Sequence, residues 1–145
     1  MSTAGNKAIF RQFVDEVMNR RKLSTIDELM APDLVEHEQL PPGIPMNREG
    51  VKLLFSMYHG AFSDIQVTIE DLIAEGDTVV GRLTVSGTHT GNFAGIPPTG
   101  KRVTFQLMDI FRTVGDTIVE HWGMPDQFGL LQQLGLIPPL PVPLS

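Results

Sequence analysis

The sequence predicts an α+β fold, a curved and mostly antiparallel sheet that wraps around N-terminal helices and encloses a central pocket. Apolar residues recur at helical spacing up to Phe62, and from Asp64 onward they alternate as they do in strands. Turn signals separate the alternating segments, which favours hairpins between neighbouring strands. Helices followed by hairpins are typical of α+β proteins, and long curved strands would leave a cone-shaped cavity between the two layers.

Three helices are predicted before the sheet. The first covers residues 4–20, and its apolar face consists of Ile9, Phe10, Phe13, Val14 and Val17. A short second helix begins after Ser24, a favourable N-cap, and ends at Pro32. Leu34–Gln39 is either a short strand or an extended segment, and a rigid proline-rich loop follows it. Asn47 is expected to cap the third helix, which ends near Gly60.

Four strands follow in sequence. The first starts at Ile65, the second covers 79–88, the third is Lys101–Thr113 and the fourth is Thr117–Met124. Glycine-containing turns at 75–77 and 115–116 separate the members of each hairpin. The loop 91–100 is rich in glycine and proline but contains apolar residues, so we expect it to cover an opening.

A last helix is predicted from Asp126 to Gly135, and the proline-rich tail, 138–145, is expected to lie extended. With 145 residues, the chain has the size of one domain, 1–145. The net charge of −6 and the scattered basic residues argue against nucleic acid as a partner. No apolar run is long enough to span a membrane, no signal peptide is evident, and no cysteine is present, so we expect a cytoplasmic protein.

Asp126 is the first candidate for chemistry, because it stands where a strand gives way to a helix. Burial among Trp122, Met124 and Phe128 would raise its pKa from about 3.9 and make it a better base. Its other interpretation is a helix N-cap, whose hydrogen bonds would lower the pKa instead. The residues alone leave both interpretations open.

His121 is the second candidate, since a histidine can orient a carbonyl group or shuttle a proton. A turn at 115–116 would place Ile110 opposite His121, on a face shared with Met108 and Arg112. Asp109 interrupts an apolar alternation, so it is expected to bond either the indole of Trp122 or a ligand. The complete set of predicted ligand contacts is Asp109, Gln106, Arg112, Trp122, Met108, His37 and Tyr58.

No cofactor or metal motif is present. The four histidines show no metal-ligand spacing, and there is no phosphate-binding or dinucleotide-binding glycine loop. His37 and His89 are expected to be loop residues, and His37 could reach the mouth of the pocket. We therefore expect neither a metal nor an organic cofactor.

Three segments resemble the SnoaL-like polyketide cyclase branch of the nuclear transport factor 2-like superfamily. They are FSDIQVTIEDLIAEGDTVVGR (62–82), GTHTGNFAGIPPTGK (87–101) and DIFRTVGDTIVEHWGMPDQFGLLQQLG (109–135). The resemblance implies a cone-shaped α+β barrel and often a homodimer or a higher oligomer. It also implies ring closure by intramolecular aldol condensation, with Asp126 at the family's acid/base position.

The chain departs from the best-known cyclases, which carry a histidine on the preceding strand. Between Val103 and Thr113 this chain has none. The resemblance favours cofactor-independent acid/base chemistry on a small, apolar, carbonyl-bearing ligand. A hydrolase, isomerase or hydroxylase of the same fold, or a protein that only binds a ligand, remains an alternative because the fold supports many functions.

Overall fold

The computed structural model describes residues 2–138 of the chain. Within them, α1 (Thr3–Phe13) continues into a π-helical segment (Val14–Asn19). The elements that follow are α2 (Ser24–Leu29), β1 (Met30–Glu36), α3 (Arg48–Ala61), β2 (Gln66–Glu75), β3 (Thr78–Thr88), β4 (Arg102–Val114), β5 (Thr117–Pro125) and α4 (Gln127–Gln133). Most of the predicted proline-rich tail, 139–145, lies outside the described residues.

The strands form a sheet in the order β1-β5-β4-β3-β2. Strands β2 to β5 pair as antiparallel neighbours. The two predicted turns connect β2 to β3 and β4 to β5, and in them Gly76 and Gly115 adopt the left-handed conformation (φ 60° and 61°). Strand β1 runs parallel to β5 and forms one edge. The predicted α+β fold is confirmed, with N-terminal helices on a curved sheet that does not close.

The region around Pro32 differs from the prediction. Helix α2 already ends at Leu29, and Pro32 lies inside β1. An edge strand tolerates proline, because one side of its backbone has no partner strand. The pairing of β1 with β5 shifts register between Met30 and Val35, around this proline. Ser24 is the first residue of α2 and does not cap it, since the N-cap position belongs to Leu23.

The core lies between the helices and the concave face of the sheet. The ring of Phe111 on β4 packs against Phe10 at 5.0 Å and against Phe13 at 5.2 Å between ring centroids. Gly81 on β3 leaves the space that the Phe10 ring occupies, because a Cβ atom there would overlap with it. These contacts set the distance between α1 and the sheet.

Asn19, the last residue of the π-helical segment, connects the helices to β2 through two hydrogen bonds. Its side-chain amide donates to the Val67 carbonyl at 3.0 Å and accepts from the Val67 amide at 2.7 Å. Its neighbour Met18 is buried.

Among residues 2–138, no helix has the length and apolarity needed to cross a bilayer.

Candidate functional site

A bulge in β5 decides which face carries His121. The β4–β5 hairpin turns at 115–116 as predicted, but β5 has one extra residue, Val119, relative to β4. The predicted pairing of His121 with Ile110 is therefore wrong, and His121 lies opposite Phe111. A shift of one residue moves a side chain to the other face of a sheet. His121 accordingly points into the protein, and Met108 and Arg112 lie on the opposite face.

His121 links two buried carboxylates. Its Nδ1 donates to both oxygens of Glu36 at 2.8 Å, and its Nε2 donates to Asp109 Oδ1 at 2.7 Å. Burial would lower the pKa of His121, but the hydrogen bonds to Asp109 and Glu36 outweigh it and raise the pKa to about 10. The ring is therefore an imidazolium at neutral pH. The expected partners of Asp109 were the Trp122 indole or a ligand, and its partner in the structure is His121.

Glu38 is a third carboxyl group beside this chain. Its backbone amide donates to Glu36 Oε1 at 2.8 Å, which fixes the start of the loop after β1. Glu38 is 8% exposed. One carboxyl oxygen each of Glu38 and Asp109 and one ring nitrogen of His121 lie within 4.8 Å of one another. Burial, together with the negative charges of Asp109 and Glu36, raises the pKa of Glu38 to about 7, although His121 acts in the opposite direction.

These groups line a small apolar cavity, here called the inner cavity, with a volume of about 50 Å³. Its polar side chains include Glu36, Glu38, Asp109, His121 and Tyr58. Its apolar wall comes from both layers, with Phe13, Leu54 and Phe55 from the helices and Val85, Phe105 and Leu107 from the sheet. His59 also lines it, but its Nε2 contacts the Met18 carbonyl at 3.1 Å.

A second space of about 160 Å³, here called the outer chamber, adjoins the inner cavity. Glu38, Leu54 and Tyr58 line both spaces. Part of the chamber wall comes from the loop 91–100, in agreement with its predicted role as a cover, and from α4. Burial first, and then the charge of Glu38, raise the pKa of Tyr58, so its phenol is neutral and can donate a hydrogen bond.

Asp126 lies outside the inner cavity. Its carboxylate accepts from the Gly129 amide at 3.0 Å and caps α4, which confirms the N-cap interpretation. The predicted burial is wrong, because Asp126 is exposed and its neighbours Met124 and Phe128 are 79% and 45% exposed. Pro125, just before it, does line the cavity.

Five predicted ligand contacts lie away from the inner cavity and the outer chamber. Gln106, Met108 and Arg112 are on the outer face of β4, as expected from their alternation with Asp109. Arg112 Nε donates to Glu120 at 2.7 Å, and His37 Nε2 donates to the same carboxylate at 2.6 Å. The His37 ring also stacks on Trp122 at 4.6 Å. Of the predicted ligand contacts, the structure thus places Asp109 and Tyr58 at the cavity, beside His121.

Glu36 and Glu38 were not recognised as site residues. Leu34, Glu36, Glu38 and Leu40 alternate with exposed residues and are all buried. This alternation has the period of a β-strand and indicates that both carboxylates lie on an apolar face. It is the sequence feature from which Glu36 and Glu38 could have been predicted as site residues. His89, expected in a solvated loop, is fully buried, and the backbone amide of Thr99 donates to its Nδ1 at 3.2 Å.

The site is thus a small apolar cavity between helices and a curved sheet, with a carboxylate–imidazolium–carboxylate chain in its wall. The chain belongs to the SnoaL-like polyketide cyclase family, whose model matches residues 8–134. This confirms the family resemblance seen in the sequence.

Two relatives named as cyclases come from streptomycetes. Nogalonic acid methyl ester cyclase of Streptomyces nogalater is 29% identical over 119 residues, covering 81% of this chain and 88% of the relative. Aklanonic acid methyl ester cyclase DauD of Streptomyces sp. (strain C5) is 32% identical over 119 residues, covering 77% and 72%.

Two solved structures are similar in both fold and sequence. AclR, a candidate hydroxylase from Streptomyces galilaeus, has a TM-score of 0.83 and 34% identity, over 97% of this chain and 87% of AclR. IdmH, a candidate polyketide cyclase from Streptomyces antibioticus, has a TM-score of 0.77 and 34% identity, over 88% and 96%.

Proposed function

We propose that the protein closes a ring in an aromatic polyketide methyl ester by intramolecular aldol condensation. The observation that carries the proposal is the hydrogen-bonded chain Glu36–His121–Asp109 with Glu38 beside it, in the wall of an apolar cavity. Family membership and the cyclase names of two relatives support the reaction class.

The chemistry needs one group that removes and returns a proton. A carboxylate takes the proton from a carbon next to a carbonyl, and the electron pair of the broken C–H bond moves onto the carbonyl oxygen as an enolate. The enolate carbon then attacks a second carbonyl carbon, and the same proton goes to the new alkoxide oxygen. The reaction is redox-neutral and balanced, so it requires no cofactor, and the imidazolium of His121 stabilises the nearby negative charge.

The dimensions of the site suggest how such a ligand would bind. The inner cavity, at about 50 Å³, accommodates only the reacting end of a polycyclic ligand. The outer chamber, at about 160 Å³, shares the lining residues Glu38, Leu54 and Tyr58 with the inner cavity and would hold part of the remaining rings. Its apolar wall includes Met57, Phe93 and Leu130.

The test is incubation of the purified protein with nogalonic or aklanonic acid methyl ester, followed by chromatography with mass detection. We expect a new product of unchanged mass, since ring closure by aldol addition without loss of water is an isomerisation. Asp109→Asn should lower turnover by about 10² or more because it removes the carboxylate that holds the His121 imidazolium, whereas Asp116→Asn, a matched change in the exposed 115–116 turn, should not. Saturable binding without turnover would instead support a binding protein and refute the proposal.

Hydroxylation is a second candidate, because AclR covers nearly the whole chain at 34% identity. It would consume dioxygen and two electrons from an added two-electron reductant, place one oxygen atom in the ligand and release the other as water. The same mass measurement therefore separates the two reactions, and an anaerobic control would abolish only the hydroxylation.

A further inference from the structure

We propose that Glu38 is the catalytic acid/base of this site, that Gly123 provides the space for its carboxyl group, and that Tyr58 donates a hydrogen bond to the developing enolate. The proposal rests on the aldol function proposed above and assigns its proton transfer to Glu38 instead of Asp126, the position that the family resemblance implied.

The first argument concerns hydrogen bonding. Glu36 and Asp109 each form an ion pair with the His121 ring at 2.8 and 2.7 Å. Within residues 2–138, no donor bonds the side-chain carboxyl of Glu38, although Glu38 is almost completely buried. The Glu38 oxygens are not among the fully buried, unpartnered side-chain atoms of residues 2–138, and Glu38 lines both spaces, so its carboxyl is open to a ligand there.

The second argument concerns charge. The groups that face Glu38 are Glu36 from β1, Tyr58 from α3, Asp109 from β4 and His121 from β5. Two carboxylates around one imidazolium leave the cluster negative before Glu38 ionises. Burial and this excess negative charge raise the pKa of Glu38 to about 7, so both of its protonation states are populated near neutral pH. Such a group can both take up and return a proton.

The third argument concerns space. Gly123 lies opposite Asp109 in the β4–β5 ladder. A Cβ atom built on Gly123 would overlap with Glu38 Oε1 and come within 2.9 Å of Asp109 Oδ1. The carboxyl of Glu38 thus occupies the place that any other side chain at position 123 would fill. A larger residue at this position would push the Glu38 carboxyl, which lies in the loop after β1, away from its place beside Asp109.

The fourth argument concerns the oxygen on which negative charge develops. Both nitrogens of His121 are already engaged, so the imidazolium has no hydrogen left to donate to a ligand. Tyr58 lines the same two spaces as Glu38, and its neutral hydroxyl is a donor. Because Tyr58 and Glu38 line the same spaces, one ligand can contact both groups.

Two measurements test the proposal. The first needs no ligand: ¹³C NMR of protein labelled at the glutamate side-chain carboxyls, with the Glu38 signal assigned by its loss in Glu38→Gln. We expect a titration midpoint near 7. The second is turnover of aklanonic acid methyl ester, for which Glu38→Gln should lower kcat by about 10² or more with little change in KM.

Matched variants separate catalysis from folding. Glu28→Gln, an exposed change on α2, should keep full turnover. Tyr58→Phe should lower kcat by about 10². Gly123→Ala should lower kcat by displacing the Glu38 carboxyl without removing a titratable group, which keeps the proposal testable if Glu38→Gln does not fold.

The outcomes distinguish the two proposals. Wild-type kcat/KM should rise with pH through a limb near 7, and this limb should disappear in Glu38→Gln. A midpoint below about 5, or full turnover by folded Glu38→Gln, would overturn the role of Glu38 even if the protein is a cyclase. If the wild type converts neither methyl ester, the aldol function fails, and the NMR midpoint alone then supports or refutes the poised proton at Glu38.

Discussion

Replacement of Glu38 by glutamine should stabilise the protein at pH 8 and leave its stability almost unchanged at pH 4. Glutamine keeps the shape of the side chain and cannot ionise. Below about pH 4.5, Glu38 is neutral in both the folded and the unfolded state, so wild type and Glu38→Gln should have similar stability. Above that pH, the unfolded chain releases the proton while the folded protein retains it.

The size of the effect follows from the two pKa values. Glu38 changes from an ordinary value of 4.5 to about 7 on folding. At about 1.36 kcal/mol per pKa unit, this difference corresponds to about 3 kcal/mol. The stability that the neutral carboxyl contributes is complete below pH 4.5 and is lost as the pH rises through about 7. Glu38→Gln should therefore gain about 3 kcal/mol relative to wild type over this interval.

Urea unfolding at several pH values between about 4 and about 8 measures this difference directly. The stability that protonated His121 contributes also falls at higher pH, in wild type and in Glu38→Gln alike. The comparison therefore uses only the difference in unfolding free energy between these two proteins. Glu70→Gln, an exposed change on β2, is the control for loss of one carboxylate. The reasoning would be refuted if the difference in unfolding free energy between Glu38→Gln and wild type stayed constant within about 0.5 kcal/mol across this range.

Three further predictions concern other parts of the molecule. Asp126→Ala should destabilise the protein by about 1 kcal/mol through loss of the α4 cap, measured by urea unfolding, and should retain turnover. Phe111→Ala should cost about 3–5 kcal/mol, because two phenylalanine rings lose their partner, and a stability unchanged within about 1 kcal/mol would contradict the packing account. We also propose a homodimer through the outer sheet face, where Met108 and Met124 are 49% and 79% exposed. Met124→Glu should lower the sedimentation coefficient at micromolar concentration, and a wild-type monomer there would exclude the dimer.

The order and type of the main elements were predictable because they depend on local periodicity. The switch from helical spacing to alternation near Asp64, the turns at 75–77 and 115–116 and the caps at Asn47 and Asp126 all agree with the structure. Strand β1 was ambiguous because its only partner, β5, is distant in sequence and parallel to it. Pro32, which lies within this strand, was predicted to end the second helix.

The candidate site was less predictable, because it depends on one inserted residue. The Val119 bulge reverses the face that carries His121, and sequence alternation alone does not reveal such an insertion. Asp126 was a candidate because it stands between a strand and a helix, at the family's acid/base position, but its hydrogen bond to the α4 amide of Gly129 shows that the N-cap interpretation was correct. Glu38 becomes evident only when β1 is placed beside β5 and Gly123 leaves room for its carboxyl.

The central claim is that Glu38 removes a proton from the ligand, and exchange of that hydrogen with solvent deuterium tests it most directly. Aklanonic acid methyl ester is incubated with the protein in D₂O, and deuterium at the carbon next to the carbonyl is followed by mass spectrometry. Wild type and Asp126→Asn should incorporate deuterium at similar rates, while Glu38→Gln should be slower by about 10² or more. Exchange by Glu38→Gln at the wild-type rate, or its loss only in Asp126→Asn, would contradict the assignment.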